Sequence, residues 1–337
     1  MPVEQDMTRA QSAYPSSDTR RAPSGSARSD LALARSPVAT TLPARAVDGL
    51  QRDMPTGSLV IMKKKLIAFR KIIWFYYRTR GRDFPWRPPS LKLRKDKTLD
   101  PYKILVSEIM LQQTQTERVE PKYREFLKRF PTLRTLARAS VRDVLKIWQG
   151  LGYNRRALAL QRCAQIILEQ YQGKIPSDPE MLDALPGVGQ STAGAVAAFA
   201  FNRPVVFIET NIRRVFLHHF FAHRRQVSDE IIYKIASEAV DRRNPREWHY
   251  ALMDYGAHLA WLIPNPNRRS KHYARQARFE GSFRQLRGQV LQALLSSTIR
   301  ERAELARRIK NKQLPRALRE LAREGFIRIA DNRIMLL

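Results

Sequence analysis

Two glutamates have sequence surroundings that suit acid–base chemistry, and Glu108 is the first. It lies in "VSEIMLQQTQ", a helical pattern in which Ile104, Leu105 and Ile109 are apolar. A carboxyl group on such a face loses contact with water, so its pKa rises and it can hold a proton for donation. The alternative is a glutamate that faces solvent without a chemical role, which the apolar neighbours disfavour.

Glu209 is the second candidate. It stands in "FIETN", after the short β-like run "PVVFI" and before a helical pattern. Its carboxylate could stabilise a positive charge that develops during a reaction. It could equally cap the helix that starts near Asn211 by accepting hydrogen bonds from the first amides. The sequence leaves both roles open, and one carboxylate can fill both.

The stretch "LPGVGQSTAGA" could bind an anion. Gly187 and Gly189 would permit backbone angles that other residues avoid. The helix predicted to begin near Ser191 would point its first amides towards the turn, which suits a phosphate. The small residues 193–195 would let the preceding helix pack closely. The alternative is an ordinary turn between two helices.

The elements that must position these residues are mostly helices. From Lys63 onward, apolar residues recur at helical spacing in one segment after another, separated by Pro, Gly and Asn. "PVVFI" is the one β-like run before residue 280. We therefore predict an all-α region over residues 61–280.

Both ends of the chain have a different pattern. Residues 281–337 predict three helices and then a hairpin around Asp331-Asn332, as in a winged-helix-like module. Residues 1–60 are rich in Ser, Pro, Ala, Arg and Thr and lack periodicity. They are predicted to be a disordered extension, or to lie upstream of a natural start at Met62.

The composition of the chain indicates which kinds of binding partner to expect. The 337 residues include 61 Lys and Arg against 31 Asp and Glu, giving a formal net charge of +30. Such an excess favours nucleic acid as a partner, although a merely alkaline protein is the alternative. The single cysteine, Cys163, is predicted to be a buried small hydrophobe and cannot form a disulfide alone. No apolar run reaches membrane-spanning length, so no membrane partner is expected.

Six separated motifs carry a resemblance. In chain order they are "DFPWR", "PYKILVSEIMLQQTQ", "WQGLGYNRRA", "LPGVGQSTAGA", "FIETNIRRV" and "MDYGA". Together they resemble the MutY-type adenine glycosylase branch of the helix-hairpin-helix (HhH-GPD) DNA glycosylases, over roughly residues 65–280. The resemblance implies a two-lobed all-α fold. It also implies a monomer that acts on double-stranded DNA carrying a mismatch or an oxidised guanine.

The resemblance implies a DNA repair enzyme that hydrolyses the N-glycosidic bond of adenine mispaired with guanine or 8-oxoguanine. Glu108 would protonate the leaving adenine and Glu209 would stabilise the positive sugar. The family pattern has aspartate at the position of Glu209. Ser191 stands where bifunctional relatives have a lysine, and serine cannot form a Schiff base, so we expect a monofunctional enzyme. The alternatives are a glycosylase for T or U opposite G, and a non-catalytic DNA-damage-binding protein.

DNA-contacting residues are also implied by the resemblance. Residues of the "LQQT" turn would reach into the duplex beside the extruded base, and Tyr153 would stack next to the partner base, with core packing as its alternative. Residues of the hairpin would contact the DNA backbone. The set is Gln112, Gln113, Thr114, Tyr153, Leu185, Gly187, Gly189, Gln190 and Ser191.

Relatives of this type usually hold an iron–sulfur cluster on four spaced cysteines. That spacing falls here on Ala260, Asn267, Ser270 and Gln276, none of which supplies a thiolate. We therefore predict no iron–sulfur cluster, no metal and no other cofactor. We expect the protein in the cytoplasm with the nucleoid of a prokaryote, or in the nucleus or an organelle of a eukaryote. The C-terminal part does not resemble the domain with which many relatives inspect 8-oxoguanine, so the preference for the opposite base stays open.

Overall fold

The computed structural model describes residues 56–87, 98–296 and 301–337, with the side chains of 56–59 excluded. Helix α1 begins at Thr56, before the domain boundary predicted at residue 61, and the rest of the predicted extension lies outside the described residues. The helices that follow up to residue 262 carry the labels α2 to α11. With α1 they are α1 (Thr56–Arg80), α2 (Pro101–Leu111), α3 (Thr116–Arg129), α4 (Leu133–Ala137), α5 (Val141–Trp148), α6 (Arg155–Gln170), α7 (Pro179–Asp183), α8 (Gln190–Phe201), α9 (Thr210–Phe220), α10 (Asp229–Ala239) and α11 (Pro245–Leu262).

These helices pack as two lobes, which confirms the all-α expectation. Helices α2 to α8 pack on one another and form the central lobe. Helices α1, α9, α10 and α11, together with the 3-10 helix Pro266–Arg269, form the terminal lobe. Phe69 of α1 shows how the terminal lobe closes, since its ring lies 5.3 Å from that of Phe216 and 6.0 Å from that of Trp248. No described helix has the length and apolar character needed to cross a membrane.

The lobes meet around α8, which is a nearly continuous run of buried small and aromatic residues from Ala193 to Ala200. The β-like run at residues 204–208 forms neither a helix nor a strand in the described chain. A Cβ at Gly194 would lie 2.6 Å from the Cβ of Phe207. The close approach that Gly194 permits is therefore to this segment, and not to the preceding helix as predicted.

The C-terminal module has the predicted order of three helices and a hairpin. Its elements are α12 (Phe283–Ser296), α13 (Arg302–Arg308), α14 (Leu314–Arg323), β1 (Ile327–Ala330) and β2 (Arg333–Leu336). The strands are antiparallel, and Asp331 takes the left-handed conformation of the turn between them. The module docks on the central lobe through α12 and α5, and through a hydrogen bond of 3.0 Å from Arg142 N to Leu337 O.

A buried ion pair joins the segment after α1 to α11. Both carboxylate oxygens of Asp254 accept from the Arg87 guanidinium, at 2.9 and 2.8 Å. Arg82 adds its backbone amide and its Nε, each at 2.9 Å. The Arg87 guanidinium also lies over the ring of Tyr250, 4.3 Å from the ring centroid. The "DFPWR" and "MDYGA" motifs therefore meet in space, and their pairing fixes α11.

We predict that Asp254→Ala destabilises the protein by about 3–5 kcal/mol, because it leaves the buried Arg87 charge without its partner. Urea denaturation of the full chain measures this change. The matched control is Glu280→Ala, which breaks only the exposed pair with Arg278 and should change stability by less than about 1 kcal/mol. Equal losses in the two variants would contradict the role given to Asp254.

Candidate active site

Glu108 lies on α2, flanked by the buried side chains of Ile104, Leu105 and Ile109. Its own side chain is half-buried, and no described residue donates a hydrogen bond to it. Burial, followed by the negative charge of Glu209, raises the pKa of Glu108 to about 8. Glu108 therefore holds its proton at neutral pH. Its half-buried side chain confirms the partly buried setting predicted for it.

Glu209 is the N-cap of α9 and comes from the other lobe. One carboxylate oxygen accepts from Ile212 N at 2.7 Å and the other from Asn211 Nδ2 at 3.3 Å. Burial raises the pKa of Glu209, whereas hydrogen bonds from these two residues and the charges of Arg213 and Arg214 oppose that rise. Of the two carboxyls, Glu209 is thus the one equipped to carry the negative charge. The capping alternative is confirmed, and it keeps the charge-stabilising role available.

The position of the Glu209 cap depends on a glycine of α11. A Cβ at Gly256 would lie 2.4 Å from Asn211 O, so only glycine lets α11 come this close to the start of α9. Arg214 then donates to Gly256 O at 2.6 Å and to Asn211 Oδ1 at 2.7 Å. Asn267, in the 3-10 helix, donates to Thr210 O at 3.1 Å. The glycine of "MDYGA" therefore serves the cap directly.

The hairpin differs in detail from its prediction. Gly187 has φ +74°, and a Cβ there would lie 2.6 Å from Ala159 Cβ, so this position requires glycine. Gly189 is the N-cap of α8 with φ −99° and ψ 172°, an ordinary extended conformation, so the prediction of special backbone angles was wrong there. Its surroundings are open, because no neighbouring atom lies within 4 Å of a Cβ built on it. The exposed start of α8 at Gln190 thus leaves room for a ligand beside the amides of Ser191 and Thr192.

Two residues predicted to contact DNA, Leu185 and Gln112, also make contacts within the protein. The side chain of Leu185 is buried and shapes the turn. The amide of Gln112 donates to Gly187 O at 2.9 Å and to Thr192 Oγ1 at 3.0 Å. Gln112 therefore ties the hairpin to the end of α2. Both side chains therefore support the hairpin, and their contact with DNA stays a prediction.

Arg156 is a site residue that sequence reasoning missed. Its buried guanidinium donates to the carbonyls of Ile109, Met110 and Gln112 at the end of α2, at 3.0, 2.8 and 2.5 Å. It also donates to Gly152 O at 3.1 Å, as well as to Leu151 O. Burial lowers the pKa of Arg156 to about 10, so it remains charged at neutral pH. This cation fastens the "LQQT" turn to the "LGYN" loop.

The residues on these two loops have different exposure. Gln113 is exposed with φ +55°, so its side chain is accessible for DNA contact as predicted. Thr114 is half-buried and accepts from Arg156 at 2.9 Å, which gives it a structural bond. Tyr153 is half-buried with φ +46°. Its ring lies 5.4 Å from the Arg156 guanidinium carbon. It therefore lies at the surface of the loop and outside the core.

The residues present do not fit an iron–sulfur cluster. Asn267 and Gln276, two of the positions that the cysteine spacing predicts, use their side chains in hydrogen bonds to Thr210 O and to the Tyr153 hydroxyl. Cys163 is buried in α6 and its thiol donates to Pro186 O at 2.9 Å, as a buried small residue. Burial raises the pKa of this thiol to about 12. In the described part of the chain no three His, Cys, Asp or Glu side chains form a group that could hold a metal.

Comparison with known proteins identifies the family. The pattern of the HhH-GPD superfamily of base excision DNA repair proteins matches residues 106–241, which include both glutamates and the hairpin. An adenine DNA glycosylase of Mycobacterium tuberculosis (strain CDC 1551 / Oshkosh) is 33% identical over 294 residues, covering 77% of this chain and 91% of that protein. The chain belongs to the adenine DNA glycosylase family.

Other relatives agree with this assignment. An adenine DNA glycosylase of Buchnera aphidicola subsp. Baizongia pistaciae (strain Bp) is 33% identical over 202 residues, or 60% of this chain and 55% of that protein. The chain thus matches about half of that relative's length. Among solved structures, a thermostable thymine-DNA glycosylase is similar with a TM-score of 0.50 and 26% identity, over 58% of this chain and 87% of that one. The helix-hairpin-helix glycosylase fold is therefore confirmed.

We predict that Glu209→Gln lowers the pKa of Glu108, because it removes a neighbouring negative charge while keeping an oxygen to cap α9. Titration of carbon-13-labelled glutamate side chains by NMR measures this pKa directly. Glu320→Gln, in the C-terminal module, is the control and should leave the Glu108 titration unchanged. An identical Glu108 pKa in wild type and Glu209→Gln would show that the two carboxyls do not interact.

Proposed function

We propose that this chain is a monofunctional DNA glycosylase that removes adenine paired with guanine or 8-oxoguanine. The observation that supports it most strongly is the pair of unlike carboxyls, Glu108 and Glu209, held on two lobes beside the hairpin helix. Their surroundings divide the roles, since one retains a proton and the other is equipped for charge. Membership of the adenine DNA glycosylase family indicates that the base released is adenine.

The reaction follows from these roles. Glu108 donates its proton to a ring nitrogen of the extruded adenine, and the bond from C1′ to the base breaks as its electron pair moves to the base. Glu209 stabilises the positive charge that develops on the sugar. Water then attacks C1′ and its proton passes to the Glu108 carboxylate, so the products are free adenine, an abasic sugar and the enzyme with Glu108 protonated again. Extruding the adenine from the stack costs a few kcal/mol, which the contacts of the protein with DNA must offset.

The DNA strand stays intact in this proposal. The position at the start of α8 is Ser191, and a hydroxyl cannot form the Schiff base that strand cleavage by a lysine requires. The phosphate backbone would lie at the exposed start of α8, beside the amides of Ser191 and Thr192. The excess of positive charge favours the same polyanion. We place the enzyme, as a monomer, with the DNA of its cell, in a nucleoid or in a nucleus or organelle.

We predict that Glu108→Gln lowers the single-turnover rate of adenine release by at least about 10²–10⁴-fold, the usual value of general acid catalysis. The assay uses duplexes with A:G, A:8-oxoG, T:G and U:G, followed by alkali to cleave abasic sites. Duplex binding, measured by fluorescence anisotropy, should stay close to wild type because the side chain keeps its size. Wild-type release by Glu108→Gln would remove Glu108 from the mechanism, and release of T or U alone would overturn the proposed substrate.

The pH dependence gives a separate prediction. The acid form of Glu108 is the active form, so the rate of adenine release should fall as the pH rises through about 8, the pKa that burial and Glu209 set. Single-turnover rates between pH 6 and pH 10 would test this with one preparation. A rate that rises across this range would show that Glu108 acts as a base.

A further inference from the structure

The C-terminal module contacts the loop that carries Tyr153, and it does so through the tyrosine side chain. Arg284, on α12, donates from Nη1 to the Tyr153 hydroxyl at 2.6 Å. Its guanidinium carbon lies 5.5 Å from the centroid of the tyrosine ring. The side-chain amide of Gln276 donates to the same hydroxyl. Two residues beyond the glycosylase helices thus hold one aromatic side chain.

Arg284 is itself fixed in place. Its Nη2 donates to Ala277 O at 2.9 Å, so both ends of the guanidinium fork are engaged. The fork therefore bridges the segment before α12 and the tyrosine hydroxyl. A planar group bound at two points loses less freedom per hydrogen bond than a lysine ammonium would.

An ion-pair network docks the module beside the same loop. Arg155, two residues after Tyr153, pairs with Glu324 at the end of α14. Arg287 of α12 donates to Glu324 Oε1 at 2.8 Å and to Glu320 Oε2 at 3.1 Å. Although burial raises the pKa of Glu324, hydrogen bonds from Arg155 and Arg287 lower it to about 2. The module is therefore held at the start of α6, next to the loop.

The loop by itself does little to orient the ring. Tyr153 has φ +46°, and Gly150 and Gly152 beside it have φ +91° and +71°. Two glycines in the three residues before Tyr153 leave the backbone permissive, and an amino acid with a side chain in the left-handed region persists only where tertiary contacts support it. The contacts available to the side chain are Arg156 at the ring, and Arg284 and Gln276 from the C-terminal side.

We propose that Arg284 is a positioning residue for opposite-base selectivity. It holds the Tyr153 ring in the orientation in which the ring stacks beside the base opposite the extruded adenine. This inference rests on the proposed function, because it needs an adenine-releasing enzyme with Tyr153 at the partner base. The C-terminal module then serves selectivity through a side chain of the glycosylase domain. Selectivity is a difference between free energies of two complexes, so a small displacement of this ring changes it without abolishing the reaction.

The test is a double-mutant cycle on the full chain with Tyr153→Phe, Arg284→Gln and both together. Single-turnover adenine release is measured on A:G, A:8-oxoG and A:C duplexes. Each single variant should lower the ratio of the A:8-oxoG rate to the A:C rate by roughly three- to tenfold, the range that one hydrogen bond is worth. The double variant should show no loss beyond that of Tyr153→Phe, because Tyr153→Phe already removes the hydroxyl to which Arg284 donates.

Arg278→Gln is the matched control, since it removes the same charge from the same segment. Arg278 is exposed and pairs only with Glu280 among the contacts described, so this variant should keep the wild-type ratio. Arg284→Lys, which retains a donor, should recover part of the ratio that Arg284→Gln loses. Thermal denaturation of each variant separates selectivity from stability, because a merely structural role lowers the melting temperature and leaves the ratio unchanged.

The outcomes separate the inference from the proposed function. If wild type releases adenine but both single variants keep its ratio, or if their losses multiply in the double variant, the inference alone is overturned. If wild type releases adenine from none of the duplexes, the proposed function fails and the inference fails with it. Arg284 is supported as the residue that positions Tyr153 if both single variants lower the rate ratio, the two losses do not multiply in the double variant, and Arg278→Gln keeps the wild-type ratio.

Discussion

Two carboxyl groups that share one partly buried site cannot both carry charge without strong repulsion, and the site depends on how that conflict is resolved. Glu209 receives the first amides of α9 and lies near two arginines, whereas Glu108 receives no hydrogen bond from the described residues and is flanked by apolar side chains. Burial therefore favours the protonated form of Glu108 on α2, whereas the hydrogen bonds and arginine charges favour the charged form of Glu209 at the start of α9. Because these helices belong to different lobes, the division holds only while the lobes keep their separation.

Buried arginines maintain that separation. The Arg87–Asp254 pair fixes α11, whose Gly256 in turn fixes the start of α9. Arg156 acts near the other carboxyl, Glu108, because it donates hydrogen bonds to the free carbonyls at the end of α2. Its positive charge also offsets the negative end of the helix dipole there. Both cations are bound by several acceptors, so burying them does not leave a bare charge. The two carboxyl groups are thus held by long-range polar contacts as well as by packing.

The sequence predicted the local elements of this arrangement better than it predicted the long-range contacts between them. Helical periodicity and turn residues predicted the helical domain and the three helices and hairpin at the C-terminus, whereas the two lobes were implied only by the family resemblance. The apolar neighbours of Glu108 in the sequence were enough to predict that its pKa is raised. The sequence gives no signal for the role of Arg156, because its neighbour Arg155 is also an arginine at the start of α6 yet lies at the surface. The sequence likewise gives no signal for the bond from Gln112 to Gly187 O, which spans 75 residues. Side chains that bind distant carbonyls leave no periodic signal.

The segment at residues 265–271 shows how the terminal lobe is held where relatives usually bind an iron–sulfur cluster. Asn267 donates to Thr210 O at the start of α9, and Arg269 donates at 3.1 Å to both Leu217 O and Phe221 O at its end. One short segment therefore forms hydrogen bonds with both ends of α9, the helix that Glu209 caps. In this segment, hydrogen bonds to main-chain carbonyls hold the helix. Since Asn267 bonds the residue next to Glu209, this clamp bears directly on where the longer glutamate side chain places its charge.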